Sequence, residues 1–168
     1  MHCSKEKPQR RWVLLTPLIL LAWATGLPGQ NSGKPGVATV AVKGPVAVKR
    51  GGAITVPVTV TVARGYHVTS ATPGDRYLKP LRLTWEKGAL TSEAPPRYPK
   101  AVLRSYPFSE GKLSVLDGTF TIEQDFRAPA TASQGFGAIT GKVHYQACTD
   151  TECLPPATVP VRLSYDIR

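Results

Sequence analysis

Between Ile54 and Val62 the chain alternates apolar and polar residues without a break. Ile54, Val56, Val58, Val60 and Val62 share one face of an extended chain, and Thr55, Pro57, Thr59 and Thr61 share the other. Side chains of a strand repeat every two residues, so this run is a strand with one face in a core and one turned outward. No helix can satisfy that pattern. Pro57 donates no backbone hydrogen bond, so the strand, or this point in it, lies at an edge. The same signal recurs along the chain. Val37–Lys43, Val46–Lys49, Leu81–Glu86, Ala101–Arg104, Phe136–Ala147 and Thr158–Ile167 read as strands. Gly65-Tyr66-His67-Val68 reads as a turn and a new strand start, and residues 87–100, with Pro95, Pro96 and Pro99, as loop. Leu113–Leu116, Asp117-Gly118 and Thr119–Phe126 read as a hairpin, since Asp-Gly suits a tight turn. Some eight strands with frequent turns and no helix predict an all-β, immunoglobulin-like β-sandwich. Trp85 is a candidate for the tryptophan expected beside such a core, though its neighbours are not diagnostic.

The N-terminus is of another kind. Lys5, Lys7, Arg10 and Arg11 precede an apolar run from Trp12 to Ala24, and Ala22-Trp23-Ala24 fits a small-x-small cleavage site. Residues 1–24 thus read as a signal peptide, residues 25–36 as a flexible Gly/Pro/Asn/Ser lead-in, and residues 37–168 as one domain. The apolar run is shorter than the ~20 residues a spanning helix needs. An uncleaved anchor is the alternative, and after cleavage no transmembrane segment remains. Cys3 leaves with the signal, so three cysteines become two, an even count that suits an oxidising compartment. The signal carries four Lys or Arg and one Glu, so the net charge of +10 falls to +7. Basic and aromatic residues are not interleaved as nucleic acid requires, and export argues against that partner.

The two remaining cysteines, Cys148 and Cys153, flank a short polar loop between strands. They should face one another across a hairpin, close enough for a disulfide after modest adjustment. In the strand before the loop, Ile139, Val143, Tyr145 and Ala147 share the apolar face. Thr140, Lys142, His144, Gln146 and Cys148 share the polar one, which places the pair at or near the surface unless a bulge resets the register. Closing a ring of six residues stabilises by about 2 kcal/mol, against nearly 5 for a hundred-residue loop. A redox role and a simple staple therefore both stay open. Asp150 and Glu152, between the cysteines, disfavour a thiolate, and the loop holds no Lys, Arg or His to offset them. Such a pair waits for a partner's thiolate. His144, four residues before Cys148, lies about 13 Å away along a regular strand, too far to act as a base. A metal site is disfavoured: C-x4-C is not a zinc-knuckle spacing, and His67 would have to come from another strand. No cofactor is implied.

The stretch Tyr145-Gln146-Ala147-Cys148, four residues, Cys153-Leu154-Pro155-Pro156 resembles the signature of the N-terminal periplasmic domain of the thiol:disulfide interchange protein DsbD. Gly65-Tyr66-His67-Val68, Pro73 and Tyr77-Leu78-Lys79-Pro80 agree with it. The resemblance covers Val37 to the C-terminus and implies the same immunoglobulin-like fold. It implies that Cys148 and Cys153 are a redox pair, with Cys153 forming the mixed disulfide and Cys148 resolving it. It also implies an aromatic cap, for which Phe108 stands in Ser105-Tyr106-Pro107-Phe108-Ser109, and a site lined by Tyr66 and Tyr145. Arg104 and Ser105 stand where the family has acidic residues before the cap aromatic. The implied function is relay of reducing equivalents in the periplasm. A thioredoxin-like donor supplies them, and a disulfide isomerase or a cytochrome c maturation protein accepts them. The family's full-length protein adds a membrane domain and a thioredoxin-like domain; a chain ending at Arg168 is expected either to draw electrons from another polypeptide or to have lost the activity. The alternative is a non-catalytic immunoglobulin-like binding or structural module with a fixed disulfide.

Overall fold

A computed structural model describes residues 36–168. The expected signal peptide, the expected lead-in up to residue 35 and Cys3 lie outside the described residues. Twelve strands make up the described part, more than the eight expected: β1 Ala38–Val42, β2 Val46–Val48, β3 Ala53–Val62, β4 His67–Thr69, β5 Arg82–Trp85, β6 Thr91–Ser92, β7 Val102–Arg104, β8 Leu113–Leu116, β9 Thr119–Arg127, β10 Gly135–Tyr145, β11 Ala147–Cys148 and β12 Ala157–Ile167. There is no helix among the described residues, so none that could cross a membrane. The additional pieces are short. β6 lies in the stretch read as loop, and β11 is cut from the strand read as continuous from Phe136 to Ala147.

The strands form three four-stranded sheets, in the orders β1-β3-β9-β6, β2-β12-β10-β5 and β11-β4-β8-β7. The alternation in β3 is borne out, with Val56, Val58, Val60 and Val62 buried and Thr55, Pro57 and Thr61 exposed. Val58, Val60, Phe120 and Ile122 from the first sheet meet Leu83, Val143, Tyr145 and Val161 from the second and Val68, Leu116 and Ala147 from the third in one core. The first sheet is therefore one layer of the sandwich, and the other two together form the facing layer. A second cluster, with Val56, Phe126, Ile139, Leu163 and Ile167, fills the far end. Trp85 packs edge-on against Phe126 there, with ring centroids 5.2 Å apart. The immunoglobulin-like sandwich is thus what forms.

β3 is not an outer strand, yet Pro57 keeps its edge position. β1 pairs only with Val58–Val62. Glu123, opposite Pro57, donates its N–H to the Arg97 carbonyl and accepts the Arg97 N–H on its own carbonyl, so the nitrogen of Pro57 points to the side β1 has already left.

Two expectations need correction. The segment 113–126 is not a hairpin: β8 pairs with β4 and β7, whereas β9 pairs with β3 and β6 in the opposite layer. Gly118 takes a left-handed φ of 60°, and its carbonyl accepts the Val62 N–H at 2.8 Å. The Asp-Gly turn therefore carries the chain from one layer to the other, which lets Leu116 and Phe120 enter the same core from opposite sides. The strand 136–147 is likewise not continuous. At Gln146 the chain leaves β10 and its partners β5 and β12, and β11 pairs with β4 instead.

Candidate functional site

Cys148 ends β11, and Cys153 lies directly opposite it across a tight turn. The turn is tied by Thr149 N–H to the Glu152 carbonyl and Leu154 N–H to the Ala147 carbonyl, both at 2.8 Å. These bonds flank the cysteines, which therefore occupy a non-hydrogen-bonded pair, where opposed side chains approach most closely. The Thr149 hydroxyl accepts the N–H groups of Thr151 and Glu152 at 3.3 and 3.2 Å and closes the turn on itself. The sulfurs are bonded to each other at 2.00 Å.

The face was read correctly, its exposure was not. Ala147 and its partner Val68 point into the main core, so Cys148 and its partner His67 point to the outer face of the third sheet. The expectation was that Cys148 lies at or near the surface; it is 0% exposed, and only Cys153 is partly exposed. A lid of loop lies beside it. Residues between β7 and β8 fold over this face, and Tyr106 packs with Leu113 and Val115 in a small outer cluster. Tyr106 stacks on His67 with centroids 4.4 Å apart, and Phe108 stacks on Tyr106 at 5.3 Å.

Each expected site residue can now be placed. Cys148 and Cys153 are joined. Phe108, 37% exposed, is the outer ring of the stack, and the ring that reaches His67 is Tyr106. Tyr66 packs against the main core and lines a cleft of about 480 Å3 beside the lid. Tyr145 is buried on the inward face of β10, away from the face that carries Cys148. His144 is hydrogen-bonded through Nδ1 to the Thr158 hydroxyl at 2.9 Å. Among the described residues no group of three or more His, Cys, Asp or Glu is placed to hold a metal ion.

Two residues went unassigned in the sequence. His67 lies directly across from Cys148, brought there from far along the chain by the β4–β11 pairing. Gln146, at the strand break, accepts the Lys79 N–H on its side-chain oxygen at 2.8 Å and donates to the Leu154 carbonyl at 3.1 Å. Its own carbonyl accepts the Thr69 N–H at 3.0 Å. It clamps the residue next to Cys153 to the rest of the sheet. Its place in the cysteine stretch was visible, but its bonding depends on segments far away.

The charges differ from those of the loop alone. The cleft joins Asp150 to Arg64, Arg104 and Asp117, so cations from two other segments face the acidic loop. Arg104 is bound to Asp117 at 2.6 Å, which raises its pKa further. Burial is the main influence on His67 and lowers its pKa; Asp150 opposes this, Arg104 adds to it and Asp117 opposes it. Burial likewise raises the pKa of Tyr106, and Arg104 beside its hydroxyl opposes this.

The family described as thiol:disulfide interchange protein DsbD, N-terminal, matches residues 38–164. Among solved structures, the N-terminal periplasmic domain of ScsB from Proteus mirabilis aligns with a TM-score of 0.53 at 13% identity, covering 82% of this chain and 52% of that one. That likeness speaks to the fold alone, and the chain spans about half the length of that neighbour. A family 123 glycoside hydrolase from Clostridium perfringens aligns at a TM-score of 0.42 and 10% identity, over 79% of this chain and 27% of that one, and carries no argument. No curated protein sequence matches.

Proposed function

This chain belongs to the family of DsbD N-terminal domains, and on that premise we propose that it is an exported thiol–disulfide exchange domain. It relays reducing equivalents from a thioredoxin-like donor to a periplasmic disulfide isomerase or a cytochrome c maturation protein. The observation that carries this reading is the asymmetry of the pair: a partly exposed Cys153 bonded to a fully buried Cys148. Of the two residues, only Cys153 offers surface to a thiolate from outside. The donor's thiolate attacks Cys153 Sγ, the bond to Cys148 breaks, and Cys148 leaves with the electron pair. The donor's second thiol then attacks its own sulfur in the mixed disulfide and frees Cys153. In the second half, Cys153 attacks the acceptor's disulfide, and Cys148 closes the ring again. Residues 1–24 act as the export signal and residues 37–168 as the working domain; Tyr66 and Phe108 flank the approach to the pair.

The burial of Cys148 favours one competing reading, a fixed disulfide in a binding or structural module, because burial opposes the thiolate that reduction releases. Trapping with a thioredoxin-like protein separates the two. Cys148→Ala should accumulate a long-lived mixed disulfide through Cys153, and Cys153→Ala should accumulate none. Equal trapping by both variants contradicts the roles. A reduction potential below about −300 mV, with no exchange, supports the fixed disulfide.

A further inference from the structure

Cys148 stands in the middle of a row. His67 is its direct partner on β4, and Cys153 is its direct partner across the turn. Directly opposed residues in antiparallel pairs project to the same side, so imidazole and both sulfurs share one face. That face is closed from above by Tyr106, 7% exposed and stacked on the imidazole. His67 is 3% exposed, and its Nε2 is buried with no hydrogen-bond partner among the described residues. A buried ring nitrogen without a partner is uncommon and calls for a reason. In the disulfide, Cys148 Sγ is drawn toward Cys153. Once the bond opens, Sγ is free to rotate among its staggered positions, including those on the His67 side.

We propose that His67 is the proton acceptor for Cys148 in the ring-closing step. The assignment rests on the thiol-exchange reading above. After Cys153 has formed a mixed disulfide with an acceptor protein, the Cys148 thiol must lose its proton before its sulfur can attack. The Cys148 S–H bond breaks and its proton passes to the His67 ring. The Cys148–Cys153 bond forms, the Cys153–acceptor bond breaks, and the acceptor's thiolate leaves with the electron pair. Water is a poor substitute here, since both groups are buried. The imidazole must be neutral to accept a proton. Burial keeps it so near pH 7, against Asp150 on the cysteine loop and Asp117 on the layer-crossing turn, and with help from Arg104 on β7. Tyr106, from the lid, is neutral in the same range because burial raises its pKa. General-base assistance of this kind is worth about 100-fold or more in rate.

The test is a two-phase reaction of the reduced protein with 5,5′-dithiobis(2-nitrobenzoate), followed against pH. The first equivalent of coloured thiolate reports attack by Cys153, and the second reports ring closure by Cys148. His67→Phe keeps a ring for Tyr106 to stack on and removes the nitrogens. The expected result is a second phase slowed about 100-fold or more near pH 7, with its pH midpoint moved upward and the first phase unchanged. His67→Gln, which can hydrogen-bond but takes no proton at this pH, should show the same loss. A second phase equal to wild type in either variant, or both phases slowed alike, overturns the proposal. Wild-type protein offers a check free of folding effects: the His67 ring titration, followed by NMR, should differ between the oxidised and reduced forms. An identical titration in both counts against the assignment. If the wild-type protein releases no second equivalent at all, it is the thiol-exchange reading that fails, and the assignment falls with it.

Discussion

A carrier must remain folded in both redox states, and the hairpin geometry allows the cost of opening the disulfide to be worked out. The ring runs from Cys148 to Cys153, a separation of 5 in sequence. Loss of so small a closure releases about 2 kcal/mol of chain entropy to the unfolded state. Little else is lost. The backbone bonds Thr149 to Glu152 and Leu154 to Ala147 do not involve sulfur, β11 stays paired with β4, and Gln146 still holds Leu154. A neutral Cys148 thiol is at home in an apolar setting. For a domain of this size each kcal/mol shifts the melting temperature by about 3–4 °C. Reduction should therefore lower it by about 7 °C and leave a single cooperative transition. Paired thermal scans by circular dichroism, with and without dithiothreitol, measure this. A reduced protein that loses its cooperative transition, or melts about 20 °C lower, would refute the reasoning and identify the bond as a staple.

Three further outcomes are expected. Gln146→Ala removes two side-chain hydrogen bonds and should cost about 1–2 kcal/mol, water replacing part of the loss at Lys79; an unchanged urea midpoint contradicts the clamp. Tyr106→Ala removes the stacks on His67 and on Phe108; loss of the one over His67, worth about 1 kcal/mol, should raise the rate at which dithiothreitol opens the disulfide about fivefold, and a rate equal to wild type shows that the lid does not guard the pair. Hydrogen bonds from Arg97 and then Thr55 hold the Asp125 carboxyl at a pKa of about 2. A lowered carboxyl pKa stabilises above the unfolded value, about 3.9, and the contribution fades as pH falls toward 2. Asp125→Asn should therefore flatten the acid limb of stability against pH between about 4 and 2, and identical limbs refute the pairing.

The alternation in β3 and the apolar face of Ile139, Val143 and Tyr145 were readable because period-2 patterning is local. The same parity assigned Cys148 to the outer face, and that assignment stands. What parity cannot register is a cover supplied from elsewhere. Tyr106 lies about forty positions before Cys148, and only the β7–β8 loop brings it over the site. His67 was out of reach for a related reason, since nothing near Val68 announces that Ala147 will be its partner. The Asp117-Gly118 signal was sound as a turn and misleading as a hairpin. Turn chemistry fixes a local change of direction, while burial of Leu116 and Phe120 from opposite layers decides where the chain goes next.

The unequal shielding of the two sulfurs also bears on damage. In the reduced form, peroxide would meet the partly exposed Cys153 before the buried Cys148, and oxidise its thiolate fraction to a sulfenic acid. Cys148 is adjacent and protected, so it condenses with that sulfenic acid, water leaves, and the disulfide is restored before irreversible oxidation sets in. On the thiol-exchange reading, the same asymmetry lets oxidative injury end in the disulfide form.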